Sequence, residues 1–538
     1  MKIFTKTIRV TLCFALLTAM IAGCGGGRSE TPSAPAPGAA VSSGAIDRTE
    51  TVTLTYLYPL GGGFEVVDSM ADNSTIKKAN ADRNVIIDFI HPPAGQETEQ
   101  FNLMLVSDDL PDMVTHGWGI PQLFPGGADK AIEDGFYIDL KPYVEQYAPN
   151  FKREIEGDVN VYKVAHTDGG AIWGMVMIDR TPQPQWMGPA IRRDMFGAMK
   201  LDVPVTIDDW YASLTKIKNE APALYPDFEI PIVMDSNGRG EFYAFLGSWD
   251  IADTFCLDDK QEVIFGPATG AYKDYLTEMA KWYAEGLIKD DFNVGTNRTA
   301  YITGDKTAAL ASSGFWEYDS WFATADNPDF DVFGAPYPQL IKGQKPKVAY
   351  IPSRGHLGYH TAVTTSCKNP ARAVDWMDWF YADEGSQLAN WGVENEDFIY
   401  LDDGSKLYTD KIAKNVEGVA IPVIYFKYLY SHGAFLREWD RECPSYGEEA
   451  NACMWRWIES TDFSRMIPSF ISYSTEESTE FTSIMADINT YVGERRVQFI
   501  TGQDNLTNFD AFVQQMKNMR LDRAVEIQSA AFKRYQSR

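Results

Sequence analysis

A chain of 538 residues with a formal net charge of −27 and 14 Trp, 27 Tyr and 30 Phe is too long for one simple core and rich in flat apolar side chains. The acidic balance argues against nucleic acid, whose phosphates demand a basic footprint. Apart from Cys13 and Cys24, only Cys256, Cys367, Cys443 and Cys453 are present, too few and too scattered for a disulfide framework.

Lys2, Lys6 and Arg9 precede an apolar run from Val10 to Ala22, which is the layout of a signal peptide over residues 1–23. The run is too short to span a bilayer comfortably, and no later apolar stretch reaches about 18 residues. It ends in Ile21-Ala22-Gly23-Cys24, which resembles a bacterial lipobox with Cys24 as the lipidated residue and new N-terminus. Buried acyl chains hold such a protein on the extracytoplasmic face of the cell membrane, at roughly 0.8 kcal/mol per methylene. Losing the three signal-peptide cations takes the charge from −27 to −30. Residues 24–50, rich in Gly, Ser, Pro and Ala, read as a flexible tether that cannot fold alone.

The body opens with "TVTLTYLYPLGGGFE", where Val52, Leu54, Tyr56 and Tyr58 alternate as in a strand. An amphipathic stretch to Ala81 follows, then "NVIIDFI", a strand of the buried, near-continuous apolar kind, and a short strand in "PDMVTHGWG". This alternation predicts parallel α/β layers. Further along, Tyr272, Tyr275, Leu276, Met279, Trp282 and Tyr283 share one helix face before a Gly286 cap. Asn369 and Pro370 open a helix that is expected to end before Gly385. Ser474 and Glu477 form a capping box, and the last helical region, Phe509 to Tyr535, is interrupted near Met519-Arg520.

Catalytic and phosphate-binding motifs are missing: there is no HExxH, GxSxG or P-loop. His356 and His360, four apart, would suit a metal on a helix, but flanking glycines and threonines favour a strand or loop. No CxxC suggests redox work or zinc. A Cys443–Cys453 disulfide across a short loop is left open. Trp118, Trp186, Trp249, Trp316, Trp321 and Trp391 lie beside Gly, Pro or polar residues, a setting in which indole faces suit stacking on sugar rings. Trp282, Trp376 and Trp379 sit in helices as packing residues.

"SDDLPDMV", "PGGADKAIEDGFYIDLKPYVEQYAPN", "GPAIRRDMFGAMKLDVPVTIDDWYASLTKIK", "ITGDKTAALASSGFW" and the ending from "YVGERRVQFITG" together resemble the family 1 extracellular solute-binding proteins. These are lipid-anchored receptors of sugar-importing ABC transporters, and the resemblance covers nearly all of Val52 to Tyr535. It implies an α/β, two-lobed periplasmic-binding-protein-like (type II) fold with an interlobe cleft and C-terminal helices. Residues 51–182 and 356–395 would form the N-terminal lobe, and 183–355 and 396–538 the C-terminal lobe. It implies no catalysis and no cofactor; the partners would be an oligosaccharide and membrane permease subunits, and the protein a monomer. Some members carry a calcium loop after the "DDWY" helix; "NEAPALYPDFEIPIV" lacks its alternating oxygen ligands, so no metal is expected. The candidate ligand residues, at strand ends and lobe crossings, are Tyr58, Glu65, Trp118, Trp186, Arg192, Trp249, Trp316, Glu317, Arg354 and Trp391. Arg192 and Arg354 would either hold an acidic sugar or form ion pairs. The rival readings are an anchored binding protein for a non-sugar solute or a sensor kinase, and a secreted polysaccharide-degrading enzyme.

Overall fold

The computed structural model describes residues 46–107, 109–117, 120, 124, 126–181, 183–234, 241–289, 292, 297–348, 355–468 and 470–538. The signal peptide, Cys24, most of the tether, Trp118, Arg354 and the Asp235–Gly238 turn lie outside them. Among the described residues no helix is long and apolar enough to cross a membrane.

In chain order the strands are β1 (Val52–Leu57), β2 (Val85–Ile90), β3 (Met113–His116), β4 (Met175–Asp179), β5 (Met187–Arg192), β6 (Ile230–Val233) and β7 (Phe255–Leu257). They continue with β8 (Val263–Phe265), β9 (Thr307–Gly314), β10 (Val332–Gly334), β11 (Gly355–Val363), β12 (Phe398–Tyr400), β13 (Lys406–Tyr408) and β14 (Leu436–Arg437). Two sheets organise the body as two α/β lobes, with orders β14-β4-β11-β3-β1-β2 and β10-β5-β9-β6. β7 with β8 and β12 with β13 form small antiparallel ribbons.

β1 and β2 pair in parallel, Val52 opposite Val85, through the helix Ser74–Arg83. That helix begins where the Asn73 side chain accepts the Ile76 N–H at 3.0 Å, and ends at Asn84, whose φ of 49° is a left-handed value that Asn tolerates. β2 departs from the fully buried strand expected. It is the outermost strand of its sheet and alternates, leaving Ile86 54% exposed, as an edge with one covered face does. β11 returns antiparallel between β3 and β4. His360 therefore lies on a strand, buried and stacked on Trp173 at 4.9 Å, and burial lowers its pKa to about 3.

In the second sheet β5 runs antiparallel to β9 and β10, while β6 is parallel to β9. The helix Gly270–Ala284 starts at the Thr269 cap, buries Tyr272, Tyr275, Leu276, Met279 and Trp282, and is followed by Gly286 at φ 61°. The Ser474–Glu477 capping box opens Thr475–Ile500, and Arg520, at φ 71°, divides Phe509–Asn518 from Leu521–Ser537. The helix opened by Pro370 ends at Asp378, ahead of Gly385 as expected, but Gly385 does not cap it. It lies within Asp383–Asn390, where a Cβ would stand 1.9 Å from the Trp379 carbonyl oxygen, so the close approach requires glycine.

Residues 396–438 depart from the partition drawn from the sequence, which gives them to the second lobe. β14 extends the first sheet, with Leu436 opposite Ile178 on β4. The helix Ile421–Tyr428 docks beside it, because the Asn73 amide donates to the Tyr425, Phe426 and Leu429 carbonyls at its end. Past β14 the chain reaches the second sheet, where the helix Glu448–Glu459 places the Trp457 indole N–H on the Ala335 and Pro189 carbonyls. Cys256, Cys367, Cys443 and Cys453 are free thiols, so the Cys443–Cys453 bond is not made.

Candidate functional site

Where the ends of the two sheets face each other lies a cavity of about 320 Å³. Met177 on β4, Tyr359 on β11 and Arg437 on β14 line it from the first sheet, with Ser431 and His432 before β14. Trp186, just ahead of β5, and Phe315 and Trp316, just after β9, line it from the second. The crossing segment supplies Trp439, Arg441, Glu442 and Tyr446, and Pro422 and Tyr425 complete the lining.

The aromatic wall is ordered by its own contacts. Trp186 and Trp439 have ring centroids 5.8 Å apart at 30°, and Phe315 meets Tyr446 edge-on at 4.8 Å. Trp316 is 37% exposed, and its indole folds back over Gly314, where a Cβ would come within 2.4 Å of the ring. Glu317 braces this turn: it accepts the Gly314 N–H at 2.7 Å and pairs with Arg298 at 2.9 Å. Trp439 is 3% exposed, and its buried indole N–H has no acceptor among the described residues. On the opposite side, Tyr58 stacks on His432 at 4.4 Å and donates its hydroxyl to the His432 carbonyl at 3.0 Å. Burial brings the His432 pKa down to about 3, so the ring is neutral, and it pushes the Tyr359 and Tyr446 phenols up to about 12.

The charges of the lining come in pairs. Arg437 Nε lies 2.6 Å from Asp179, whose other carboxylate oxygen accepts from Gln183 at 2.6 Å. Arg441 Nε lies 3.1 Å from Glu442. Among the described residues no group of three or more His, Cys, Asp or Glu side chains is placed to hold a metal ion, and Glu442 is the lining's one carboxylate. The described lining can therefore stack and hydrogen-bond a ligand, and it brings one carboxyl.

Of the residues singled out in the sequence, Trp186 and Trp316 meet in this cavity. Tyr58 stands one layer behind it, and Glu317 positions Trp316 from outside. Arg192 is fully buried at the far end of β5, paired with Asp194 at 2.6 Å and Asp305 at 2.7 Å and lying over the Phe330 ring. Trp249 packs edge-on against Tyr275 at 5.4 Å. Trp391 is 1% exposed and donates its N–H to Glu438. Glu65 sits exposed on the short 3-10 turn Gly61–Glu65. Trp118, Arg354 and Cys24 lie outside the described residues. Sequence reasoning passed over His432, Arg437, Trp439, Arg441 and Tyr446. "FLREWDREC" carries a signal, an indole amid five charged residues, where Trp186 was picked out beside Gly, Pro and uncharged polar ones.

A second cavity, of about 400 Å³, lies between Gly126–Gly127 and the start of Thr475–Ile500, but its polar groups already serve the protein: Asp168 pairs with Arg534 and Arg538, and Asp129 accepts from Thr167.

Residues 68–387 match the family model described as bacterial extracellular solute-binding protein. The chain is 23% identical over 536 residues to lipoprotein LipO of Bacillus subtilis (strain 168), covering 94% of each. It is 24% identical over 315 residues to the fructooligosaccharide ABC transporter substrate-binding protein FusA of Streptococcus pneumoniae serotype 4 (strain ATCC BAA-334 / TIGR4), covering 56% of each. A solved structure of an HMO-binding, ABC-transporter-associated solute-binding protein from Bifidobacterium longum infantis ATCC 15697 shares the fold. The TM-score is 0.71 at 17% identity, over 90% of this chain and 99% of that one.

Proposed function

The chain belongs to the bacterial extracellular solute-binding proteins, and from that premise we propose that it captures an oligosaccharide in the cleft and delivers it to the permease of an ABC importer. The observation that carries the reading is the cavity's aromatic wall, to which both sheets and the crossing between them contribute. Indole faces cover the C–H side of a sugar ring, and the polar groups around them take its hydroxyls. With walls on both lobes, a bound sugar is held by either side and favours a closed arrangement, which a permease can tell from an open one. FusA, named for fructooligosaccharide, and the HMO-binding structure support the substrate class. LipO, named a lipoprotein, supports the Cys24 lipid anchor and with it a place at the cell membrane. The family and the substrate-binding proteins that the chain resembles support capture rather than turnover as the role.

Thermal unfolding against a panel of oligosaccharides tests this. A ligand at a hundred times its dissociation constant adds about 2.7 kcal/mol to the folded state, and mass spectrometry should recover the sugar intact. Cleaved sugar, or a panel of peptides shifting the protein while sugars do not, would overturn it. Separately, Cys24→Ala should release the protein from the membrane fraction.

A further inference from the structure

We infer that the cleft is built for an uncharged saccharide and rejects uronic acids, an inference that rests on the oligosaccharide function proposed above. The described lining holds three charged side chains: Arg437, Arg441 and Glu442. Each guanidinium already has its carboxylate. Arg437 is held by Asp179, which is itself fully buried and steadied by Gln183, and its guanidinium lies 5.0 Å from the Trp439 ring centre. Arg441 pairs with Glu442, donates to the Ala389 and Tyr430 carbonyls at 3.2 and 2.8 Å, and lies over the Tyr425 ring. His432 adds no charge, since its buried ring stays neutral and its Nε2 lies 3.0 Å from the Pro59 carbonyl oxygen. Among the described residues, Glu442 in the lining and Asp179 just behind it balance the two cations of the wall.

A sugar carboxylate entering this site has two outcomes, both unfavourable. If it pairs with Arg437 it competes with Asp179, a buried carboxylate that Arg437 Nε holds at 2.6 Å. If it does not, it loses its hydration beside Asp179 and Glu442, two charges of its own sign. A hydroxyl meets neither penalty. It stays neutral, and it can give or accept hydrogen bonds at the wall without breaking either ion pair. The paired wall thus discriminates by what it costs an anion rather than by a contact unique to the neutral sugar.

The test is isothermal titration of the full chain with trisaccharides matched except at C6: β-1,4-mannotriose and trimannuronate, α-1,4-galactotriose and trigalacturonate, cellotriose and its C6-oxidised form. The expected result is binding of at least one neutral member, with its oxidised partner weaker by about 100-fold or more. Asp179→Asn, which removes the anion that balances Arg437, should narrow that gap to about 10-fold or less. Glu442→Gln should do the same through Arg441 if the first variant fails to fold. An oxidised member that binds as tightly as its neutral partner would overturn the inference and leave the oligosaccharide function standing. If no member of any pair binds, the oligosaccharide function falls and the inference with it.

Discussion

The two ends of β5 carry the same promise in the sequence and opposite fates in the fold. "QWMGPAIRR" offers an indole and a guanidinium a few residues apart, and both read as ligand contacts at the first lobe crossing. A strand advances about 3.3 Å per residue, so Trp186 and Arg192 stand roughly 20 Å apart and cannot share a cavity of this size. The Trp186 end opens on the cleft. The Arg192 end is closed by Asp194, Asp305, the Ile302 carbonyl and the Phe330 ring, all from its own lobe. A residue type suited to ligand binding says little until its end of the strand is known.

The sharpest way to break this comparison is Arg192→Met. Two carboxylates then lose a buried cation, and the folded state should lose about 3 to 5 kcal/mol, read by chemical denaturation, with sugar affinity of the folded fraction unchanged. A loss of affinity at intact stability would return Arg192 to the site. Between the two ends, Gly188 lies under the Trp457 ring, where a Cβ would come within 2.5 Å. That ring is held by its N–H on the Ala335 carbonyl at 3.0 Å and cannot easily retreat. Gly188→Ala should therefore cost about 1 to 3 kcal/mol, seen as a lower melting midpoint. At the open end, Trp186→Ala should weaken sugar binding by about 2 kcal/mol, roughly 30-fold. Trp316→Ala, at a more exposed position, should separate the effects more cleanly: weaker binding, with unliganded stability within about 0.5 kcal/mol.

Local rules carried much of the fold. The Ser474–Glu477 box, the break at Arg520 and the Gly286 cap are decided by residues within a turn of one another, and each is found where the sequence puts it. What depends on distant partners was less legible. β2 alternates because of its place at a sheet edge, and Ile421–Tyr428 joins the first lobe through Asn73, more than 350 residues away in sequence. The site divides the same way. Trp186 and Trp316 were visible as indoles outside helical stripes. Arg192 was left open between a ligand and an ion pair, and Glu317 was assigned to the ligand, because a charged side chain near a crossing looks the same whether it faces a ligand or a partner such as Arg298 or Asp305. Trp439 and Arg437 had a signal in "FLREWDREC", but it was the pairing of β14 with β4 that put them beside Trp186.

The smallest predicted effect separates the two buried arginines by pH. Burial raises the Asp179 carboxyl above its ordinary 3.8, Glu442 adds to the rise, and Arg437 and Gln183 pull against it. The folded state thus takes up this proton more readily than the unfolded chain. The stability it contributes is fully present below 3.8 and is lost as pH rises through the folded value, so acid does not unfold the protein through Asp179. Acid should instead change selectivity. As Asp179 takes up its proton, Arg437 has charge to spare for a sugar carboxylate, and trimannuronate should gain affinity as pH falls for as long as the sugar itself stays ionised. Mannotriose should not gain, and Asp179→Asn should be flat for both. Arg192 faces no ligand, so Arg192→Met should keep the wild-type slope in its folded fraction. A slope that survives Asp179→Asn would place the titrating group elsewhere and remove the distinction drawn between the two ends of β5.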